Sequence, residues 1–487
     1  MTAAPSQTVR SVLLAGLPRD VWPVAALLAR ELPECTAMTV VVDKTPVPPA
    51  GAVVPLASRY HERLGQDLAA FVRDCGSIPS LGSVLQGFAG VGHSLVVAPS
   101  GDLPAIAGAS LHQFLPRAQA DGGNGAGFLA AFAPFRFAAR AAEAGKFALP
   151  GDGPNSPLAM LGPQVGFDRD RYALMLREGC AWRCEVKSGT VAGGVLGPDG
   201  HVKSVALEGG EAIEADFFVD CSGRIAALLD ASPERIDSPA SIFGKITCAV
   251  EPLRGDATLP TWTADAHGIA ARIPTEDGDI VSYRHTGEVA DEHFSNIAGP
   301  DAVTQDAPAA PVAAAWQGNC VRLGEAVGSL GSALCGDAAL LAEMALHLAE
   351  CLPARTAMAA EARAFNRRYR ETLAALSDFA SAPLLLNRRS EAPWQSLARG
   401  APSATLGTRI EQFASRGHIP SFEREYADRQ TWTEMLAGLG IRPKTYDRRV
   451  DTVPEQQAGQ ILLTIRRQLE TSLAAMTSRD AYLAQLG

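Results

Sequence analysis

A short loop after the first apolar segment carries the first residues that could bind a charged ligand. A dinucleotide loop uses three glycines, G-x-G-x-x-G, for the tight turn, for backbone approach to the pyrophosphate and for close packing of helix on strand. In this chain Gly16 keeps the first position, while Pro18 and Val21 occupy the second and third. Proline has no N–H to donate, Asp20 adds negative charge beside the expected anion site, and Arg19 could supply a compensating positive charge. The loop predicts dinucleotide binding that is weakened or lost.

Five other residues have side chains suited to binding or to acid–base chemistry. Asp43 ends the second apolar segment, where an acid would bind ribose hydroxyls; the alternative is an ordinary carboxylate at a strand end. Glu325 follows an apolar run and opens a helix, so it either contacts a ligand or caps that helix. Cys335 is a thiolate nucleophile or a structural cysteine, and His267 and His285 are acid–base residues or structural ones. Residue type alone assigns none of them a catalytic role.

The elements that must position these residues follow from the hydrophobic pattern. Residues 11–16 and 38–43 are predicted strands, and residues 19–32 between them have helical periodicity. This β-α-β opening is typical of a dinucleotide-binding domain, and strand signals continue to about residue 355. From residue 356 to 487 helical periodicity dominates. The pattern predicts an α/β fold with a domain of residues 1–355, containing an inserted substrate layer, and a helical C-terminal subdomain of residues 356–487.

The composition is that of an ordinary globular protein. The chain has 487 residues, of which 47% are hydrophobic and 20% are charged, with a net charge of -10. This acidic balance argues against nucleic acid and against an anionic membrane surface as partners. The nine cysteines are scattered, and no histidine or second cysteine pair completes a zinc site with Cys180 and Cys184. We expect a cytoplasmic protein with no signal peptide, no membrane helix and no metal site.

Several sequence blocks occur in the order found in one enzyme family. These are Trp22 after the glycine loop, Ser77–Leu81 (SIPSL), Asp220–Gly223 (DCSG), Gly268–Pro274 (GIAARIP), Asn319–Val321 with Gly324–Ala326, and Trp432 with Gly440–Pro443. Taken together, they resemble the flavin-dependent tryptophan halogenases from one end of the chain to the other. The order and spread of the blocks make the resemblance specific, whereas any single block would be weak.

The resemblance implies an FAD/NAD(P)-binding, flavoprotein-monooxygenase-like domain joined to a mostly helical subdomain that holds the substrate. It implies FAD as the cofactor. By matching positions, Gly16, Arg19, Asp43, Gly223, Gly324 and Glu325 would bind the cofactor, and Ser77, Ile78 and Pro79 would form a strap over the flavin. The family also implies a flavin reductase or a small aromatic molecule as partner, and a homodimer is possible.

The residues that carry halogenation in that family are missing here. The family signature is G-W-x-W-x-I-P, and this chain has Ile269 and Ala271 in place of its two tryptophans. Leu334 replaces the family's assisting glutamate. The family's lysine would lie near residues 98–110, but no lysine occurs between Lys44 and Lys146. We therefore expect a divergent family member without halogenase activity that binds FAD weakly or not at all. The open alternatives are a flavoenzyme with changed chemistry, a non-catalytic protein that binds a ligand or partner, and a halogenase whose catalytic residues have moved.

Overall fold

The structure is a computed structural model of the chain. It describes residues 8–116, 128–151, 153, 156–253, 259–287, 302–331, 334 and 336–485. The candidate Cys335 lies outside the described residues. Within these ranges no helix is long and apolar enough to cross a membrane.

All the strands that the structure describes lie in the first two thirds of the chain. They are β1 Ser11–Gly16, β2 Ala37–Val42, β3 Gly51–Pro55, β4 Ile78–Ser80, β5 Ser83–Gln86, β6 Ser94–Val97, β7 Gln164–Asp168, β8 Glu185–Ser188, β9 Val191–Leu196, β10 Val202–Leu207, β11 Ala212–Glu214, β12 Phe217–Asp220, β13 Lys245–Glu251, β14 Thr261–Ala264, β15 Gly268–Thr275, β16 Gly278–His285, β17 Val303–Asp306, β18 Trp316–Gln317 and β19 Cys320–Arg322.

A six-stranded sheet contains the predicted β-α-β opening. Its order is β18-β19-β12-β1-β2-β8, and β1 pairs in parallel with both β2 and β12. Between β1 and β2 runs helix α1, Pro18–Glu31, which begins one residue before the predicted start. Proline favours this first helical position because its fixed φ suits a helix and its missing N–H would have no partner there. The carboxyl ends of the parallel strands therefore meet beside the start of α1.

A seven-stranded sheet faces this unit, with the order β17-β13-β16-β15-β14-β5-β6. The GIAARIP segment lies within β15, which is antiparallel to β14 and to β16. A three-stranded sheet, β3-β7-β4, lies beside it. Pro198, Asp199 and Gly200 lie in the turn between β9 and β10, which pair in a further three-stranded sheet with β11.

Helices flank the sheets and dominate the chain after residue 356, as the periodicity predicts. Besides α1, they are Arg59–Leu64, Leu68–Cys75, Phe128–Phe132, Phe137–Glu143, Arg169–Cys180, Asp337–Cys351, Ala359–Leu385, Ala392–Ala398, Ala404–Arg416, Arg429–Gly438, Glu455–Ala475 and Arg479–Leu483. The α/β fold with a helical C-terminal part is thus confirmed. One large apolar cluster draws residues from both parts of the chain, and the domain boundary at residue 355 stays a prediction.

A buried ion pair joins the C-terminal helices to the seven-stranded sheet. Arg136 Nε lies 3.0 Å from Glu434 Oε2, and both residues are almost fully buried. A second Glu434 oxygen accepts a hydrogen bond from Gln430, and the Arg136 guanidinium also donates to the Val96 carbonyl on β6. Because burial removes water from both charged groups, removing either partner would leave the other charge buried and uncompensated.

We predict that Arg136→Met lowers the free energy of unfolding by about 3–5 kcal/mol, because it leaves a buried carboxylate unpaired. Urea denaturation followed by circular dichroism measures this. The matched control is Arg466→Met, which breaks an exposed pair with Glu470 at 2.8 Å and should cost less than about 1 kcal/mol. Equal effects of the two substitutions would contradict the prediction.

Candidate functional site

The main cavity lies between the seven-stranded sheet and the start of α1, and it has a volume of about 320 Å³. Its far wall is formed by the turn Gly324–Ala326 and the start of the helix Asp337–Cys351. Ile269 and Ala271, which replace the two tryptophans of the family signature, line it. The volume falls within the range of about 300–1,000 Å³ that small-molecule sites usually have.

Cross-strand rows form the sheet wall of the main cavity. Ile269 on β15 lies directly opposite Arg284 on β16, which lies opposite Ile246 on β13. The next row on the same face contains Ala271 and Ser282. Opposite residues of antiparallel strands share one face of the sheet, so these side chains meet the cavity together. At the two positions where the family has tryptophans, this wall has Ile269 and Ala271, next to Trp262 on β14 and one arginine.

Two amides of the glycine loop are hydrogen-bonded within the loop itself. The amides of Asp20 and Val21 both donate to the Leu17 carbonyl at 3.0 Å, and Pro18 has no amide hydrogen. A Cβ at Gly16 would lie 2.6 Å from the Cβ of Cys221, at the end of β12. Gly16 is therefore needed for close packing of two strand ends, and it does not line the main cavity.

Asp20 lies where the start of α1 meets the turn Gly324–Ala326. Its carboxylate is fully buried, accepts a hydrogen bond from Arg169 at 2.6 Å and faces the Glu325 amide at 3.4 Å. A Cβ at Gly324, whose φ is +54°, would lie 2.6 Å from the Asp20 carboxyl carbon, so only glycine fits there. Burial raises the pKa of Asp20, and the nearby Arg169 guanidinium opposes this effect. The sequence showed the negative charge of Asp20 but not its partner, which is 149 residues away.

Arg19 lines the main cavity, but its positive charge is already paired. The guanidinium binds both carboxylate oxygens of Asp170, at 2.8 and 3.0 Å, and donates to the Pro48 carbonyl at 2.8 Å. Only 5% of Arg19 is exposed. Such a forked pair is among the stronger protein ion pairs, so this charge is largely satisfied within the chain.

Glu325 lies in the main cavity and reaches water through it. The enclosing protein raises the pKa of Glu325 to about 7, and the neighbouring carboxylates of Asp20 and Asp337 act in the same direction. The arginines at 19 and 169 only partly offset them. A carboxyl group that titrates near neutral pH is suited to acid–base chemistry.

Asp43 and Gly223 lie away from the main cavity, at the ends of β2 and β12. The Asp43 carboxylate accepts hydrogen bonds from the Thr45 amide and hydroxyl and from the Thr190 hydroxyl. Burial alone would raise the pKa of Asp43, but these hydrogen bonds outweigh it and the pKa lies below its usual value. Gly223, with a φ of +78°, donates to Asp220, whose carboxylate also caps the rest of that turn.

The strap residues hold two sheets together. Ser77 bridges to Thr275 at the end of β15, and β4, which contains Ile78 and Pro79, pairs with β7. None of these three residues lines the main cavity. Of the nine predicted cofactor-binding residues, the structure therefore brings Arg19, Gly324 and Glu325 to the main cavity, and the other six do not line it.

A side cavity of about 140 Å³ lies next to the main one, against the C-terminal helices. Leu334 and Val53 line both cavities, so they stand between them. Leu334 has a φ of +78°, a left-handed conformation that is strained for a leucine. Pro99 lines the side cavity, in the region where the family's lysine would lie, and no lysine is among the described residues that line it.

The remaining histidine candidates and Trp432 lie outside the main cavity. His285 is buried, its Nε2 lies 3.0 Å from the Thr247 hydroxyl, and its ring stacks on Tyr283. Neither His267 nor His285 lines the main cavity. Trp432 is buried beneath the guanidinium of Arg409, at 4.2 Å from the ring centre. No group of three or more metal-binding side chains occurs among residues that the structure describes.

The raised pKa of Glu325 predicts a pH-dependent effect of Glu325→Gln on stability. A carboxyl whose pKa is higher in the folded state than its usual 4.5 is destabilised when it ionises, so its cost appears as the pH rises toward about 7. The melting temperature of Glu325→Gln relative to the parent should therefore increase from pH 5 to pH 8. The exposed Glu178→Gln is the matched control and should show no such trend. A flat difference for Glu325→Gln would contradict the assignment.

Comparison with known proteins agrees with this architecture. The family model described as tryptophan halogenase matches residues 11–455. A flavin-dependent halogenase from Brevundimonas sp. has a similar structure, with a TM-score of 0.87 and 22% identity over 98% of this chain and 99% of that one. One from Xanthomonas campestris gives 0.87 and 22% over 99% of both chains, and a tryptophan halogenase from Shewanella frigidimarina gives 0.79 and 16% over 99% and 98%. No match was found among curated protein sequences. Because the family model spans most of the sequence, the chain belongs to the tryptophan halogenase family.

Proposed function

We propose that this chain is a non-halogenating member of its family that keeps the main cavity as a binding site for a small molecule. Family membership implies a flavin cofactor, and we further propose that this chain binds FAD weakly. The observation that carries it is the buried Asp20 carboxylate, which faces the amide of Glu325 at the cavity end next to the glycine loop.

The residues at that end do not fit the pyrophosphate of a dinucleotide. A pyrophosphate needs unoccupied donors and positive charge. Here the Glu325 amide faces Asp20, Pro18 has no donor, and the arginines at 19 and 169 are each paired with an aspartate. An incoming phosphate would also meet the carboxylates of Asp20 and Glu325. For this reason we derive no catalytic step through FAD.

The passage between the two cavities also argues against halogenation. In the family, an oxidised halogen travels from the flavin to a lysine beside the substrate. In this chain Leu334 and Val53 stand between the main and side cavities, and Pro99, from the segment where the family's lysine is expected, lines the side cavity. A leucine and a proline can neither hold nor polarise an oxidised halogen.

One observation favours a second candidate function, a flavoenzyme with changed chemistry. The pKa of Glu325, raised to about 7 by its surroundings in the main cavity, gives that cavity one group able to exchange a proton near neutral pH. In that case a flavin reductase would be the natural partner, as it is for flavin-dependent halogenases. A homodimer and a cytoplasmic location stay predictions.

We predict no halogenation of tryptophan or indole. The protein would be incubated with a flavin reductase, NADH, FAD and either chloride or bromide, and the products analysed by mass spectrometry. In the family the lysine, the glutamate and both tryptophans act as one unit, and all four are missing here. We therefore expect no residual halogenation. A family halogenase with the complete signature serves as the positive control. A halogenated product above the level without enzyme would overturn the proposal.

We also predict that Asp20 limits FAD affinity beyond the effect of the glycine loop. The double variant Pro18→Gly/Val21→Gly restores only the loop, so it should recover little binding. Adding Asp20→Ala removes the carboxylate at the Glu325 amide and should tighten FAD binding at least about tenfold, the equivalent of about 1.4 kcal/mol. Isothermal titration calorimetry compares the two variants, and thermal melting confirms that both are folded. The same affinity in both would show that Asp20 does not obstruct the cofactor.

A further inference from the structure

Arg284 is the charged residue of the sheet wall. It extends from β16 into the main cavity, between Ile269 on β15 and Ile246 on β13. Its Nη2 donates to the Ser329 hydroxyl at 3.1 Å. The residue is half-buried, so its positive charge has lost part of its hydration, and this makes an anionic partner favourable.

The other two arginines of the cavity have carboxylate partners, and Arg284 differs from them. Arg19 pairs with Asp170 at 2.8 Å and Arg169 pairs with Asp20 at 2.6 Å. In the described part of the chain, no carboxylate oxygen lies within 4.0 Å of the Arg284 guanidinium. Asp337 also lines the cavity and attracts Arg284 at longer range, but its Oδ1 accepts the Leu330 amide at 2.9 Å.

The surroundings of Arg284 restrict the kind of anion that fits. The wall around it is mostly apolar, with Ile246, Ile269 and Trp262. The acids Glu325 and Asp337 on the opposite side disfavour a dianion such as a phosphate ester. A planar guanidinium matches a carboxylate with two parallel hydrogen bonds. An apolar body that carries one carboxylate therefore suits both the wall and the charge.

We infer that the main cavity binds a small aromatic carboxylic acid, with the carboxylate on Arg284 and the ring against the wall of β13, β15 and β16. The isoleucine at position 269 leaves beside Arg284 the space that a tryptophan would fill. This inference rests on the proposed function, because it names the ligand class of the same cavity. It makes Arg284 a binding residue that the sequence blocks did not reveal.

The test compares a bicyclic acid with its neutral amide, 1-naphthoate with 1-naphthamide, by isothermal titration calorimetry. The parent protein should bind the acid at least about tenfold more tightly than the amide. Arg284→Gln should abolish this preference, while Arg284→Lys should keep part of it. The matched control is Lys245→Gln, which removes a positive charge from β13 outside the cavity and should leave the preference unchanged.

A second variant keeps the test decisive if Arg284→Gln does not fold. Ile269→Trp should weaken binding of both probes by more than about tenfold, since the indole would fill the space next to Arg284. Equal affinity of the parent for acid and amide would overturn the inference about Arg284 and leave the proposed function standing. Absence of binding of both probes, or no effect of Ile269→Trp, would overturn the location of the site. A halogenated product in the separate assay would instead overturn the proposed function.

Discussion

The contact of Asp20 with Arg169 and the Glu325 amide is the constraint on which the rest of this site depends. It joins the start of α1, the start of the helix Arg169–Cys180 and the turn Gly324–Ala326. A fully buried carboxylate is stable only with such partners, and breaking a pair of this kind commonly costs several kcal/mol. In our proposal, the same contact places a buried carboxylate where a pyrophosphate would need hydrogen-bond donors. We therefore infer that a contact joining three elements of the fold also works against binding of the family's cofactor.

Much of the fold could be predicted because it depends on local patterns. The two strands and the helix of the β-α-β opening follow from hydrophobic periodicity. The same holds for the helical end of the chain. The helix start at Pro18 differed by one residue because proline is accepted in the first turn.

The site was predicted only in part, because its contacts join distant parts of the sequence. Residue matching placed Arg19, Gly324 and Glu325 at the cavity, but nothing local could show that Asp170, 151 residues away, pairs with Arg19. The position of Arg284 opposite Ile269 depends on the register of β15 and β16. The division of the space at Leu334 likewise appears only when the two halves of the chain pack together.

We propose that the chain holds FAD poorly because its own Asp20 carboxylate stands at the pyrophosphate end of the main cavity. The most direct measurement is the visible absorption spectrum of the protein after incubation with excess FAD and gel filtration, with the flavin-to-protein ratio as the readout. We expect a colourless protein fraction with far less than one flavin per chain. A yellow fraction with one flavin per chain would contradict it.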